Sequence, residues 1–396
     1  MAETTAAATA GAAPSEDAIR EILARLEEPS TLVRCAATCR RWRALAAEPA
    51  VLRRLWPEPG RSFVGVFTNE WRRGEGVSFV PGPGSALGAG RRLLGSFIPD
   101  APGVSDWVQP VASHHGLLLV RLFPREPGTM QLAVCDPLAG TWDVLPALRV
   151  RVGRYFLGYA IIGATGGADR SSSLSSPSSF RVLVFRTAHE VAGKYILHAF
   201  SSGQPSWSAP TKFPGRVEYS LDEATIAHAD ATVCHGGVAA HWLFKNSSEF
   251  IYILSINSES GHVAAVLLRI LGMKHHKQIR LTTTGDGTLL SLCTYDGDRR
   301  FEIWEQQHRG EDGTVCWIRA KVLKLRLPLE GARLVCLGAR SRRLLMMDCH
   351  LRVHVLHLQG GAMEEMEDEF YDPNLIAVPM EIDWPSFLMS RLGRLV

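Results

Sequence analysis

Apolar positions near the start of the chain recur three and four residues apart; beyond residue 60 they gather into short runs of strand type. The first helical stripe is Ile19, Ile22, Leu23 and Leu26. Glu16 and Asp17 precede it, where the positive end of a helix dipole favours anions. Pro29 ends that helix. Ser30 is placed to cap a second, whose apolar side is Leu32, Cys35, Ala36, Cys39 and Trp42, with Arg40, Arg41 and Arg43 turned away. Pro49 suits the first turn of a third helix that buries Val51, Leu52, Leu55 and Trp56. The pattern predicts three helices over residues 15–56, after a disordered Ala/Thr-rich tail at 1–14 and before a Pro/Gly hinge at 57–60. A unit of about 40 residues is too small to bury all of its apolar stripes, so these need an outside partner.

Residues 61–390 are predicted to be all-β. Strand-type runs fall into groups: 62–68, 77–80 and 92–98; 116–120, 132–135 and 141–145; 180–186, 195–201 and 206–209. Three more groups follow, at 232–243, 249–257 and 262–270, then 287–295, 299–306 and 314–325, then 333–339, 342–349 and 352–358. Trp142, Trp207 and Trp317 are each expected to open the last strand of a group, and the Gly/Ser-rich stretch 163–179 reads as an inserted loop. Repetition at about 50 residues is the mark of a β-propeller, here of six or seven blades with six favoured, and with 374–381 as the strand that closes the ring.

Two stretches resemble known families. Pro29-Ser30-Thr31-Leu32-Val33-Arg34-Cys35 and Cys39-Arg40-Arg41-Trp42-Arg43-Ala44-Leu45 resemble an F-box, the adaptor-binding module of cullin-RING ubiquitin ligases. Its usual Leu-Pro opening is replaced by Pro14-Ser15-Glu16-Asp17. The resemblance implies that Ile19, Ile22, Leu23, Leu26, Pro29, Leu32, Val33 and Trp42 bind a Skp-type adaptor and, through it, a cullin. Downstream, Asp136-Pro137-Leu138-Ala139-Gly140-Thr141-Trp142, His235-Gly236-Gly237 and Asp286-Gly287-Thr288-Leu289 resemble the kelch-like, F-box-associated propeller of plant F-box proteins. The implied target is a protein that the propeller holds.

Composition narrows the partners. The formal charge of +3 gives no field that would draw nucleic acid or membrane. No stretch approaches the 18 or so apolar residues a membrane span needs. Eight cysteines, those from Cys135 onward in apolar runs, read as reduced core residues of a cytoplasmic or nuclear protein.

Candidate chemistry is sparse. His350, His354 and His357 near Cys349 divide between the two faces of a strand, and a zinc site needs its ligands to converge. Gly82, Gly84, Gly88 and Gly90 lack the strand and helix of a phosphate loop, and the acidic run Glu364, Glu365, Glu367, Asp368 and Glu369 reads as a solvated connection. No catalytic residue, metal or cofactor is assigned. The competing reading is a propeller enzyme or sugar-binding module under a helical cap. It requires charged groups on inner strands, and the expected inner strands, 117–120 and 289–292, are apolar.

Overall fold

A computed structural model describes residues 14–26, 28–57, 62–69, 77–85, 104–124, 128–149, 157–163, 179–187, 195–213, 225–226, 232–233, 239–245, 251–258, 260–268, 276–284, 288–295, 299–309, 314–325, 332–366 and 376–392. The expected tail, the 92–98 strand, most of the hinge and most of the 163–179 insertion lie outside them. The chain forms two units, one taking Met1–Arg61 together with Asp383–Val396, the other Ser62–Ile382.

Four helices, not three, open the helical unit: α1 Glu16–Leu23, α2 Pro29–Thr38, α3 Arg40–Ala46 and α4 Pro49–Leu55. Ser15 caps α1, its hydroxyl accepting from the Ala18 amide at 3.2 Å. α2 begins at Pro29 behind Glu28, and Ser30 donates to the Glu28 carboxylate at 3.1 Å instead of capping. The expected single helix through Trp42 breaks at Cys39, whose backbone is extended (φ −160°, ψ 167°). There the Thr38 hydroxyl donates to the Cys35 carbonyl at 2.7 Å, and the Cys39 carbonyl accepts the first bond of α3. Arg43 does not turn fully away either: its Nε donates to the Ala36 carbonyl at 3.3 Å.

A fifth helix, α5 Trp384–Leu392, belongs to the same unit, although most of it falls within the 61–390 span expected to be propeller. Asp383 starts it: its carboxylate accepts from the Ser386 amide at 3.3 Å and the Ser386 hydroxyl at 2.9 Å. Leu388 and Leu392 complete one apolar core with Ile19, Leu23, Leu32, Ala36, Leu45, Leu52 and Leu55. Trp384 stacks on Trp56 at 6.2 Å between ring centroids.

Six antiparallel sheets, among the described residues, make up the second unit. The first blade pairs Val77–Pro81, Phe63–Asn69 and Ala377–Glu381, so strands from the two ends of the unit close the ring as expected. The second holds Val104–His114, Leu117–Pro124, Thr129–Asp136 and Thr141–Val144; the third Leu157–Gly163, Phe180–Thr187, Tyr195–Ser201 and Thr211–Phe213. The fourth is built on Thr232–Val233, Ala239–Lys245, Ile251–Asn257 and Val263–Leu267. His276–Thr283, Leu289–Tyr295, Arg300–Arg309 and Thr314–Lys324 form the fifth, and Arg333–Gly338, Arg343–Met347, Val353–His357 and Met363–Glu365 the sixth.

Successive first strands neighbour one another around the ring, with Ala377–Glu381 lying between Arg333–Gly338 and Val104–His114. The inner strands are therefore Ala377–Glu381, Val104–His114, Leu157–Gly163, Thr232–Val233, His276–Thr283 and Arg333–Gly338, and of these the sequence grouping missed Val104–His114, Leu157–Gly163 and His276–Thr283. The runs at 117–120 and 289–292 are second strands. Hydrophobic cores fill the spaces between blades: Leu119, Val134, Ile161 and Val182 between the second and third, Leu183, Phe185, Trp242 and Leu254 between the third and fourth. Gly158 is forced by this packing, since a Cβ there would sit 2.6 Å from the Trp242 indole nitrogen. Trp207 precedes its strand, and Trp317 lies buried inside one, so neither opens a strand as expected.

Candidate functional site

In the helical unit, packing separates the predicted adaptor-binding residues into two sets. Ile19, Leu23 and Leu32 have no exposed surface and Pro29 is buried, while Leu26 and Trp42 lie half-buried against the core. A side chain with no accessible surface cannot touch a partner, so Ile19, Leu23 and Leu32 act by holding the helices in place. Ile22 and Val33 remain, 46% and 45% exposed, although each neighbours a core residue in sequence. Helical geometry explains the split. On α1 the buried positions 19 and 23 lie four apart, and 22 falls beside that stripe; on α2 positions 29, 32 and 36 are buried and 33 is turned outward.

Charged residues brace the unit. The Arg20 guanidinium grips Glu48 with both edges, Nε to Oε2 at 2.8 Å and Nη2 to Oε1 at 2.9 Å, tying α1 to the start of α4. Arg54 grips Glu21 in the same way, at 2.8 and 3.1 Å. Hydrogen bonding from these guanidinium groups holds both carboxyls below their ordinary range. Cys39, at the start of α3, has its thiol pulled down by the Trp42 backbone N–H.

α5 is the part of this unit that sequence reasoning missed. Its signals were present: Asp383 three residues before Ser386, and Trp384, Leu388 and Leu392 at steps of four.

The propeller's inner strands carry polar residues after all, and these bind neighbouring blades. Gln278 Nε2 donates to the Ala332 carbonyl at 2.6 Å, and Arg280 Nη2 to the carbonyls of Leu334, at 3.2 Å, and Val335. Thr232 donates to Leu281 O at 2.9 Å, and Ser113 to Pro379 O across the closing strand. Glu381 accepts from the amides of Arg340 and Ser341 at 3.1 and 2.6 Å, and the Trp207 indole donates to Pro146 O at 2.7 Å. These bonds satisfy buried groups that would otherwise be costly and fix the blades in register.

The other clusters resolve as structure. His354 is buried with Nε2 3.2 Å from Asp348, whose carboxylate also accepts the amides of His350 and Arg352. His350 sits exposed in the turn, off the strand where it was expected, and His357 faces Glu364 at 3.7 Å. Burial pushes His241 and His198 down to about 4, and Cys135 and Cys293 up to about 12. Cys135, Cys293 and Cys336 are buried, whereas Cys349 is exposed in the turn after its strand, contrary to expectation. In the Asp136–Trp142 turn, Asp136 Oδ1 accepts the amides of Leu138 and Ala139, and Gly140 takes the left-handed φ of 66° that ends it.

Residues 16–57 match the F-box-like domain family. No curated protein matches the chain significantly. Among solved structures, the β-propeller domain of Myceliophteria thermophila Cps50 (Swd1) is 11% identical, covering 78% of this chain and 88% of that one with a TM-score of 0.41. An Aleuria aurantia lectin variant in complex with alpha-methyl-L-fucoside is 13% identical, with coverages of 77% and 94% and a TM-score of 0.36. Trypanosoma rangeli sialidase in complex with 2,3-difluorosialic acid is 12% identical, with coverages of 67% and 48% and a TM-score of 0.37. At such similarity the sugars and reactions of those proteins say nothing about this one. The chain thus carries an F-box-like domain at 16–57 followed by a six-bladed propeller.

Proposed function

We propose that the chain is the substrate-recognition subunit of a Skp–cullin–F-box ubiquitin ligase. The observation that carries this reading is the F-box-like match over 16–57, on a unit that keeps Ile22 and Val33 exposed although its own core is complete. These two side chains, with the half-buried Leu26 and Trp42, meet the Skp-type adaptor, and the adaptor brings the cullin. Loops of the propeller hold the target protein. The subunit performs no bond chemistry: it raises the effective concentration of a target lysine at the charged conjugating enzyme. The free thiols Cys135 and Cys293 suit the reducing cytoplasm or nucleus, and no described helix is long and apolar enough to cross a membrane.

Affinity purification of the full chain from cells whose ligase activity is blocked tests this. Adaptor and cullin are expected to co-purify together with an accumulating target. Absence of adaptor and cullin, with a bound sugar or small molecule in their place, would favour the enzyme or sugar-binding reading.

A further inference from the structure

The outer strands of the blades are short, with one exception. Val77–Pro81, Thr141–Val144, Thr211–Phe213, Val263–Leu267 and Met363–Glu365 have five residues or fewer, whereas Thr314–Lys324 has 11. A short outer strand is one way to keep a sheet edge from pairing with another chain. Thr314–Lys324 forgoes it: the strand pairs with Arg300–Arg309 on one side, and among the described residues no strand pairs with the other. An outer strand normally buries alternate residues, yet Arg319, Ala320, Lys321 and Val322 are exposed in succession, and so is Lys324. Val322 is 40% exposed.

The register decides what this edge displays. Ile303 pairs with Lys321 and Trp304 with Arg319, so Ala320 is skipped, and this bulge brings Arg319 round to the face of Val322. There Arg319 bridges Glu302, the residue opposite Val322, at 3.1 Å. Lys324 stands two residues beyond Val322 on the same face, directly across from Arg300. Glu302, the carboxylate of this face, is buried and also accepts the Trp304 indole N–H at 2.9 Å. Lys321 points to the other face, where the carbonyls of Leu358 and Gln359 hold it. The surface offered to solvent is thus a valine set between cations.

Cations along an edge repel a second copy of the same edge and attract a strand of opposite charge. We propose that Thr314–Lys324 takes up an extended acidic segment of a partner protein as an added strand, with an apolar side chain over Val322 and acidic ones beside Arg319 and Lys324. The matching pattern is acidic, any, apolar, any, acidic, because side chains on one face of a strand lie two apart. Resting on the function proposed above, that partner is the target protein, held at this edge as well as by the loops; the edge itself asks nothing of the helical unit.

The test titrates the full chain with the peptide Thr-Glu-Thr-Val-Thr-Glu-Thr, with the same peptide carrying lysine for glutamate, and with an oligothymidylate, while adaptor binding is measured on the same preparation. The acidic peptide is expected to bind at least about tenfold more tightly than the lysine form and to weaken as salt is added. It should also protect amides of residues 319–324 from hydrogen exchange. Lys324→Glu should weaken it at least about threefold and Lys324→Arg should preserve it, both with the urea midpoint of the unsubstituted chain. No binding, equal binding of the lysine form, tighter binding of the oligothymidylate, full affinity in a folded Lys324→Glu variant, or protection confined to other strands would overturn the inference. Peptide binding by a chain that takes up no adaptor would leave the edge standing and overturn the function proposed above.

Discussion

The helical unit and the propeller handle their awkward residues in opposite ways. In the helical unit both ends of the chain contribute to one small core, and two large apolar side chains, Ile22 and Val33, still stand outside it. The propeller has ample surface to bury, and its problem is polar: Gln278, Arg280, Thr232, Ser113 and Glu381 lie on inner strands and each bonds a neighbouring blade. Exposed apolar side chains, which the propeller also has in Trp142, Val322 and Ile376, are places where a partner can add contact, whereas polar groups paired inside indicate structure. The same contrast appears in titration. The helical unit contains no histidine, while the propeller buries His198 and His241 in neutral form.

The comparison can be broken most severely at the C-terminus. A chain ending at residue 376 loses both the closing strand Ala377–Glu381 and α5, so both units are expected to lose cooperative unfolding, which calorimetry would register as broadened transitions at lower temperature. A chain ending at 382 keeps the closing strand and loses only α5. It should retain the propeller transition and lose the helical one, because Leu388 and Leu392 alone represent about 2–5 kcal/mol each if truncated. Retention of adaptor binding by that shorter chain would show α5 to be dispensable and the single core misread.

Acid separates the units more gently. His198 and His241 titrate near 4 when folded against an ordinary 6.5, so the unfolded chain takes up protons first as pH falls. The propeller keeps this contribution above about pH 6.5 and loses it on the way down to about 4. The helical unit is insensitive over most of that range. Its carboxyls Glu48 and Glu21 are held below the ordinary 4.5 by Arg20 and Arg54, so their contribution is present above 4.5 and lost below it. Urea titrations at pH 7, 5.5 and 4 should therefore show the propeller midpoint falling before the helical one; the reverse order would contradict the assignment.

Much of this contrast was legible in the sequence. Period 3.6 marked the apolar stripes of α1, α2 and α4, and recurring strand groups marked the blades and the closing strand. The break at Cys39 was not, because Leu32, Cys35, Ala36, Cys39 and Trp42 keep a helical rhythm across it, and only the extended backbone of one residue separates α2 from α3. Inner strands were missed where polar residues that face a neighbouring blade, such as Gln278 and Arg280, interrupt the apolar alternation used to find strands. Leu157–Gly163 was apolar enough to be found, but it adjoins the Gly/Ser-rich stretch and was overlooked. The candidate surface was legible only as a set of residues, since periodicity names the positions along a stripe and tertiary packing decides which of them stay outside.

The smallest expected change in stability accompanies the most direct test of the central claim. Ile22→Ser and Val33→Ser alter exposed positions, so helix content and unfolding midpoint should stay within about 0.5 kcal/mol of the unsubstituted chain. Binding of the Skp-type adaptor, measured by calorimetry on the same preparations, should fall at least about tenfold for the double variant. Unchanged adaptor affinity in a folded double variant would contradict the claim that these two side chains are the contact surface.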